Sequence, residues 1–154
     1  GAKNQVMGVF HPDLVGIQAR VLQRLGSRHV MVVFGLEGLD EISITGETLV
    51  GELKDGEVRE YSIRPEQFGL RSAPISAIQA GDSQVSKELV RAALLGEPGP
   101  ASDIVALNAG AAIYTAGLAE THEAGVRKAQ GAMTSGAALR KLEEFVAFTR
   151  RFAN

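Results

Sequence analysis

No cysteine occurs among the 154 residues, which excludes disulfides, zinc–thiolate centres and thiol nucleophiles. The same absence fits a reducing compartment, so a cytoplasmic location is expected. No apolar run approaches the roughly 20 residues that cross a bilayer, and no membrane partner is expected. Neither sign of charge dominates: 16 Lys and Arg against 18 Asp and Glu leave a net −2. Gripping nucleic acid through its phosphates needs clustered Lys and Arg, so bulk charge argues against that partner. Aromatics are few, six Phe and two Tyr, which leaves the core to small aliphatics and close backbone approaches. The chain opens without an initiator Met or a signal peptide, on Gly1-Ala2-Lys3-Asn4, mid-phrase, as expected of a fragment or processed product.

What is present reads as one α/β domain over residues 1–154. Of 21 Ala, 16 fall after Arg91, so the second half is expected to be helical and the first half mixed. Pro12 to Leu25 carries Leu14, Ile17, Val21 and Leu25 at helical spacing, with Gly26 as a left-handed cap. His29 to Phe34 is a short β-branched run, expected to be a buried central strand. Strands are also predicted over Ile42 to Thr45, Thr48 to Leu53 and Val58 to Ile63, with Asp55-Gly56 as a tight hairpin turn. Arg64 to Asp82 reads as a loop long enough to cover a ligand. Four helices follow: Ser83 to Leu95, Ser102 to Ala116, Leu118 to Met133, and Ser135 to Phe152. The last carries Leu139, Leu142, Val146 and Thr149 on one face.

The chemistry is narrow. His11, His29 and His122 stand far apart in sequence, with His11 at a helix start and His122 expected in an exposed first turn. No Walker or G-x-G-x-x-G motif occurs, and Gly35-x-x-Gly38 alone is ordinary punctuation after a strand. One segment asks for more: Val33-Phe34-Gly35-Leu36-Glu37-Gly38-Leu39-Asp40-Glu41. It carries two adjacent carboxylates past the end of a buried strand, where open α/β sheets bind ligands. Mg²⁺ takes one or two protein carboxylates and completes its shell with water and substrate phosphates. Asp40 and Glu41 are therefore candidate metal ligands, set against the plainer reading of a solvated acidic turn.

Gly35-Leu36-Glu37-Gly38-Leu39-Asp40-Glu41 resembles the signature loop of the anthranilate phosphoribosyltransferase family, in the pentosyltransferase group of tryptophan biosynthesis. Three more phrases are similar, in the same order: Lys3 to Val9, Glu66-Gln67-Phe68-Gly69-Leu70, and Leu107-Asn108-Ala109-Gly110-Ala111-Ala112. The resemblance implies the C-terminal part of the larger α/β domain, with the helical N-terminal domain and phosphate-binding loop lying upstream. It implies transfer of phosphoribosyl from phosphoribosyl pyrophosphate to the amine of anthranilate, with pyrophosphate released. In that setting Asp40 and Glu41 would hold Mg²⁺, and no other catalytic or cofactor-binding residue falls in this chain. Two departures stand out: Phe34 where the family usually has His, and Ser86-Lys87 where Asn-Ala is common.

Two other readings compete. A family relative could have exchanged transfer for nucleic-acid binding, although Arg140-Lys141 and Arg150-Arg151 are expected on the solvated face of the last helix. Another pentosyltransferase, such as a pyrimidine nucleoside phosphorylase, is opposed by the Gly-Leu-Asp-Glu phrase. If an upstream half completes the sheet, the chain alone is expected to be inactive and to form a homo-oligomer. The run His29 to Phe34 is then the strand expected to lose its cover.

Overall fold

The computed structural model describes residues 1–152. A four-stranded mixed sheet is built from β1 (Asn4–Gly8), β2 (His29–Gly35), β3 (Thr48–Lys54) and β4 (Glu57–Ile63), in that spatial order. β1 runs parallel to β2, Asn4 beside His29 and Gly8 beside Val33, while the other two pairs are antiparallel. Helix α1 (Leu14–Arg24) joins the parallel pair, as such a pair requires. The β3–β4 hairpin turns on Asp55 and Gly56, both at positive φ, the geometry read from the sequence.

β1 carries no strand signal of its own, because Asn4, Gln5 and Gly8 dilute its two apolar residues. Its pairing with β2 makes it a strand. The run Ile42 to Thr45, by contrast, is not a strand. Ile42, Ser43 and Ile44 are buried, but their polar backbone is satisfied outside the sheet: Ser43 N–H donates to Thr48 Oγ1 at 2.9 Å, and Ala73 N–H to the Ile44 carbonyl at 3.0 Å. The segment Arg64 to Asp82 is largely loop, with two short 3₁₀ turns at Pro65–Phe68 and Ile75–Ala77.

Two apolar layers cover the sheet. Val30, Val32 and Phe34 face α1, packing with Val15, Ala19 and Leu53, whereas Met31 and Val33 face the helical layer. That layer comprises α2 (Ser83–Leu94), α3 (Pro100–Thr115), α4 (His122–Thr134) and α5 (Ala137–Thr149). Four helices stand where four were predicted, although their starts shift. Asp82, not Ser83, caps α2 by accepting from Val85 N–H at 2.9 Å. Thr121 caps α4, and α3 begins at Pro100 behind Gly99. Gly136, not Ser135, precedes α5.

β2 is buried along nearly its whole length by α1, α3, β1 and β3, so it is not the strand that loses its cover. Exposed apolar surface lies instead on α1 and at the C-terminal end, where Phe145, Phe148 and Phe152 are 62%, 53% and 72% exposed. Val15 and Ala19 are 3% and 0% exposed, while Ile17, Val21 and Leu25 are 53%, 42% and 73% exposed. Of the stripe that reads as the core face only Leu14 packs inward, and the rest is the outer side. The reason is steric: a Cβ on Gly51 would come within 2.7 Å of the Val15 carbonyl oxygen, so α1 must approach β3 on its small-residue side.

His122 is also relocated. It is buried against Phe68, whose ring centroid lies 4.5 Å away, and its Nε2 donates to the Leu107 carbonyl at 3.0 Å. Burial pushes its imidazole below the ordinary 6.5, with the Leu107 carbonyl opposing. Folding therefore favours the neutral ring. Its contribution is present above about pH 6.5 and is lost as pH falls toward the lowered folded value. Urea unfolding between pH 7.5 and 5 should show a steeper loss for the native chain than for His122→Gln. Equal slopes would contradict it.

Candidate functional site

The loop 36–47 leaves the carboxyl end of β2 and returns to β3. Gly38 N–H donates to the Gly35 carbonyl, Gly35 N–H to the Leu39 carbonyl, and Leu36 N–H to the Glu47 carbonyl, at 2.8, 2.8 and 3.0 Å. Gly38 sits at φ +103, a conformation that side chains rarely adopt. Ser43 Oγ donates to the Glu37 carboxylate and accepts from Thr45 N–H at 2.8 Å. The loop is thus tied at its base while its tip stays open. Near its far end, the Ser62 hydroxyl and then the Arg64 guanidinium hold the Glu47 carboxyl below the usual carboxylate range.

Asp40 and Glu41 are both exposed at that tip. Together with Gly8, Val33, Ile104 and Asn108 they help line a cleft of about 450 Å³ between the ends of β1 and β2 and helix α3. Neither carboxylate forms an ion pair among the described residues. No group of three or more His, Cys, Asp or Glu is placed to hold a metal among those residues. Two free carboxylates of this kind cannot form a closed cage, but they match the incomplete donor set that Mg²⁺ accepts when water and phosphate oxygens supply the rest.

Two neighbours seat this loop, and sequence reading does not single out either. Asn108 on α3 reaches Ile42, the residue after Glu41: its Oδ1 accepts from Ile42 N–H and its Nδ2 donates to the Ile42 carbonyl, both at 2.9 Å. The signal was available, because a polar amide on the inner side of an Ala-rich helix needs partners. Gly8 closes β1 against Asp40, where any Cβ would overlap the Asp40 carbonyl.

At the opposite end of the strands lies a second polar cluster. Glu52 accepts from Tyr114 Oη at 2.7 Å and Tyr61 Oη at 3.0 Å, and pairs with His29 Nε2 at 3.1 Å. Lys54 Nζ donates to Tyr114 Oη at 3.1 Å. Burial, then the Glu52 charge, pushes the Tyr61 phenol far up, so it stays a donor. His29 is thus drawn into a part-buried network that its isolation in sequence does not suggest.

A mixed sheet covered by helices on both faces, with an acidic loop and a cleft at a strand's carboxyl end, defines an α/β domain. The chain belongs to the glycosyl transferase family, α/β domain, which matches residues 1–139. It is 61% identical to the anthranilate phosphoribosyltransferase of Nitrosospira multiformis over 98% of its length, and 60% identical to that of Methylibium petroleiphilum over 98%. Each alignment covers 44% of the relative, so the chain spans less than half of their length. Among solved structures, the Thermus thermophilus anthranilate phosphoribosyltransferase superposes with a TM-score of 0.83 at 41% identity, covering 93% of this chain and 42% of that one. The Saccharomyces cerevisiae enzyme in complex with PRPP and Mg superposes at 0.80 with 25% identity, covering 94% and 42%.

Proposed function

We propose that this chain supplies the metal-holding part of an anthranilate phosphoribosyltransferase, which transfers phosphoribosyl from phosphoribosyl pyrophosphate to anthranilate. The observation that carries this reading is the coincidence of a whole-chain likeness to such enzymes with an exposed, unpaired Asp40–Glu41 beside a cleft. Those two residues would hold Mg²⁺. When bound, the ion supplies positive charge to the pyrophosphate leaving group as its bond to the sugar breaks. Asp40 and Glu41 would fix the ion's place beside the cleft, while Val33 and Ile104 form its apolar wall. A sugar centre that reacts with cation-like character needs no protein nucleophile, and the chain has no Cys to offer one.

The test is a chimera in which this chain replaces the corresponding 44% of the 61%-identical relative. It should form phosphoribosylanthranilate with Mg²⁺ within about tenfold of the parent rate. The chain by itself should form none, because catalysis needs both reactants held in near-attack geometry. A folded chimera without activity, or an active isolated chain, would count against the reading.

Arg140 and Lys141 on α5, and Arg150 and Arg151 in the 3₁₀ turn that follows it, are exposed. Lys141 pairs with Glu144, and the net charge of −2 argues against the nucleic-acid alternative. No helix among the described residues is long and apolar enough to cross a membrane. A cytoplasmic setting suits a cysteine-free biosynthetic chain. Self-association is part of the proposal, through the outer stripe of α1 with Phe10, which is 84% exposed. At tens of micromolar, light scattering should report a dimer or larger, and Ile17→Glu with Leu25→Glu should restore the monomer. A native chain that runs as a clean monomer would contradict this.

A further inference from the structure

Asp40 and Glu41 are adjacent in sequence and exposed, so nothing in their own side-chain contacts fixes where the two carboxylates sit. Placement has to come through the backbone. The peptide that joins Glu41 to Ile42 offers its N–H to Asn108 Oδ1, and the Ile42 carbonyl takes one hydrogen of Asn108 Nδ2. The other Nδ2 hydrogen goes to the Ile104 carbonyl at 3.0 Å, one turn back on α3. Both donor hydrogens of the amide are therefore used, and its plane is fixed by three bonds. The Ile42 side chain, 1% exposed, plugs the core beneath. On the other side, the Asp40 backbone rests where Gly8 lacks a Cβ.

We infer that Asn108 is a positioning residue for the acidic pair: its amide clamps the backbone of Ile42 to α3 and thereby holds the Asp40–Glu41 carboxylates in a cation-binding arrangement. This rests on the proposed metal role of that pair and adds what makes it work. A flexible acidic turn would have to be ordered by the ion itself, at a cost in affinity, whereas a clamped turn is ordered beforehand. Residues that orient metal ligands without touching the metal commonly carry about 10–100-fold in affinity. A purely helical role for Asn108 would need only the bond to Ile104. Serine can make that bond from the same position, but it cannot reach both polar groups of Ile42.

The experiment uses this chain, ¹⁵N-labelled, with Mn²⁺ as the probe. In the native chain Mn²⁺ should broaden the amide signals of residues 38–43 and of Gly8, Val33 and Asn108 around the same cleft most strongly, and the Ile42 amide should exchange slowly with deuterium. Asn108→Ser should need about tenfold more Mn²⁺ for the same broadening and should expose the Ile42 amide, with signals of β2 and α4 unmoved. Asn108→Ala should behave the same way, and if it fails to fold the serine variant decides. Unchanged Mn²⁺ response in Asn108→Ser, or a fast-exchanging Ile42 amide in the native chain, overturns the inference. Asp40→Asn with Glu41→Gln separates the two levels. If that variant broadens like the native chain, the metal reading fails; if it loses the response while Asn108→Ser keeps it, only the role of Asn108 fails.

Discussion

Replacing Asp40 with Asn and Glu41 with Gln in the chimera should lower phosphoribosyl transfer by about 100-fold or more while leaving the melting temperature nearly unchanged. Both expectations come from the same geometry. The two side chains are exposed at the tip of a loop, form no ion pair among the described residues and bury nothing. Surface changes of this kind usually alter stability by less than about 0.5 kcal/mol. The amides keep the size and lose the charge, so what disappears is electrostatic support for a leaving group that develops negative charge, an effect of about 10²–10³ in rate where it has been isolated. Steady-state rates across a Mg²⁺ titration, beside thermal melts, check both halves. Lost stability with activity retained would make the loop a structural turn and nothing more.

The second large effect is on stability. A Gly125→Val chain should lose about 3 kcal/mol, lowering its melting temperature by about 10 °C. α3 and α4 cross through glycine: a Cβ on Gly125 would overlap the Gly110 carbonyl, and one on Gly110 would lie 2.6 Å from Val126 N. Because the obstacles are backbone atoms, no rotamer change relieves them, and the helices must part. Leu107 and Ala111, fully buried on α3, would then lose their packing. Gly131 on the same helix is the control, since nothing lies within 4 Å of a Cβ there. Gly131→Ala should be neutral or stabilising by up to about 1 kcal/mol. Equal melts for the two variants would show that the α3–α4 contact is looser than described. The site depends on this contact indirectly, because α3 carries Asn108.

Much of this was legible in the sequence, and the exceptions have a common cause. β2, the β3–β4 hairpin and the four later helices follow from local patterns, because a β-branched run, an Asp-Gly turn and Ala-rich periodicity each act over a few residues. Asp40 and Glu41 stand out as candidates by their type and their place after a strand, and the structure puts both, exposed, beside a cleft. The features that escaped are settled by distant partners. β1 is a strand because β2 pairs with it, and Ile42 to Thr45 is not one because Asn108, Thr48 and Ala73 take up its backbone groups. On α1 two apolar stripes compete, and only the close approach of Gly51 decides that Val15 and Ala19 turn inward. His122 looks like a first-turn residue until Phe68 and the Leu107 carbonyl enclose it.

Phe34 shows how a departure from a family pattern can be absorbed. It is 7% exposed and packs with Val9, Val15 and Ala19 on the α1 face, away from the cleft that Val33 faces. Nothing in the described residues explains Ser86-Lys87, which lie exposed on α2.

The proposed function requires a divalent cation held by Asp40 and Glu41. Crystals of the chimera grown with pyrophosphate and Mn²⁺ test this most directly, because the anomalous signal of manganese locates the ion without reference to activity. The strongest anomalous peak should lie against the Asp40 and Glu41 carboxylates, at the mouth of the cleft beside α3, and should vanish in the Asp40→Asn, Glu41→Gln variant. A manganese peak bound elsewhere, with both carboxylates left free, would contradict it.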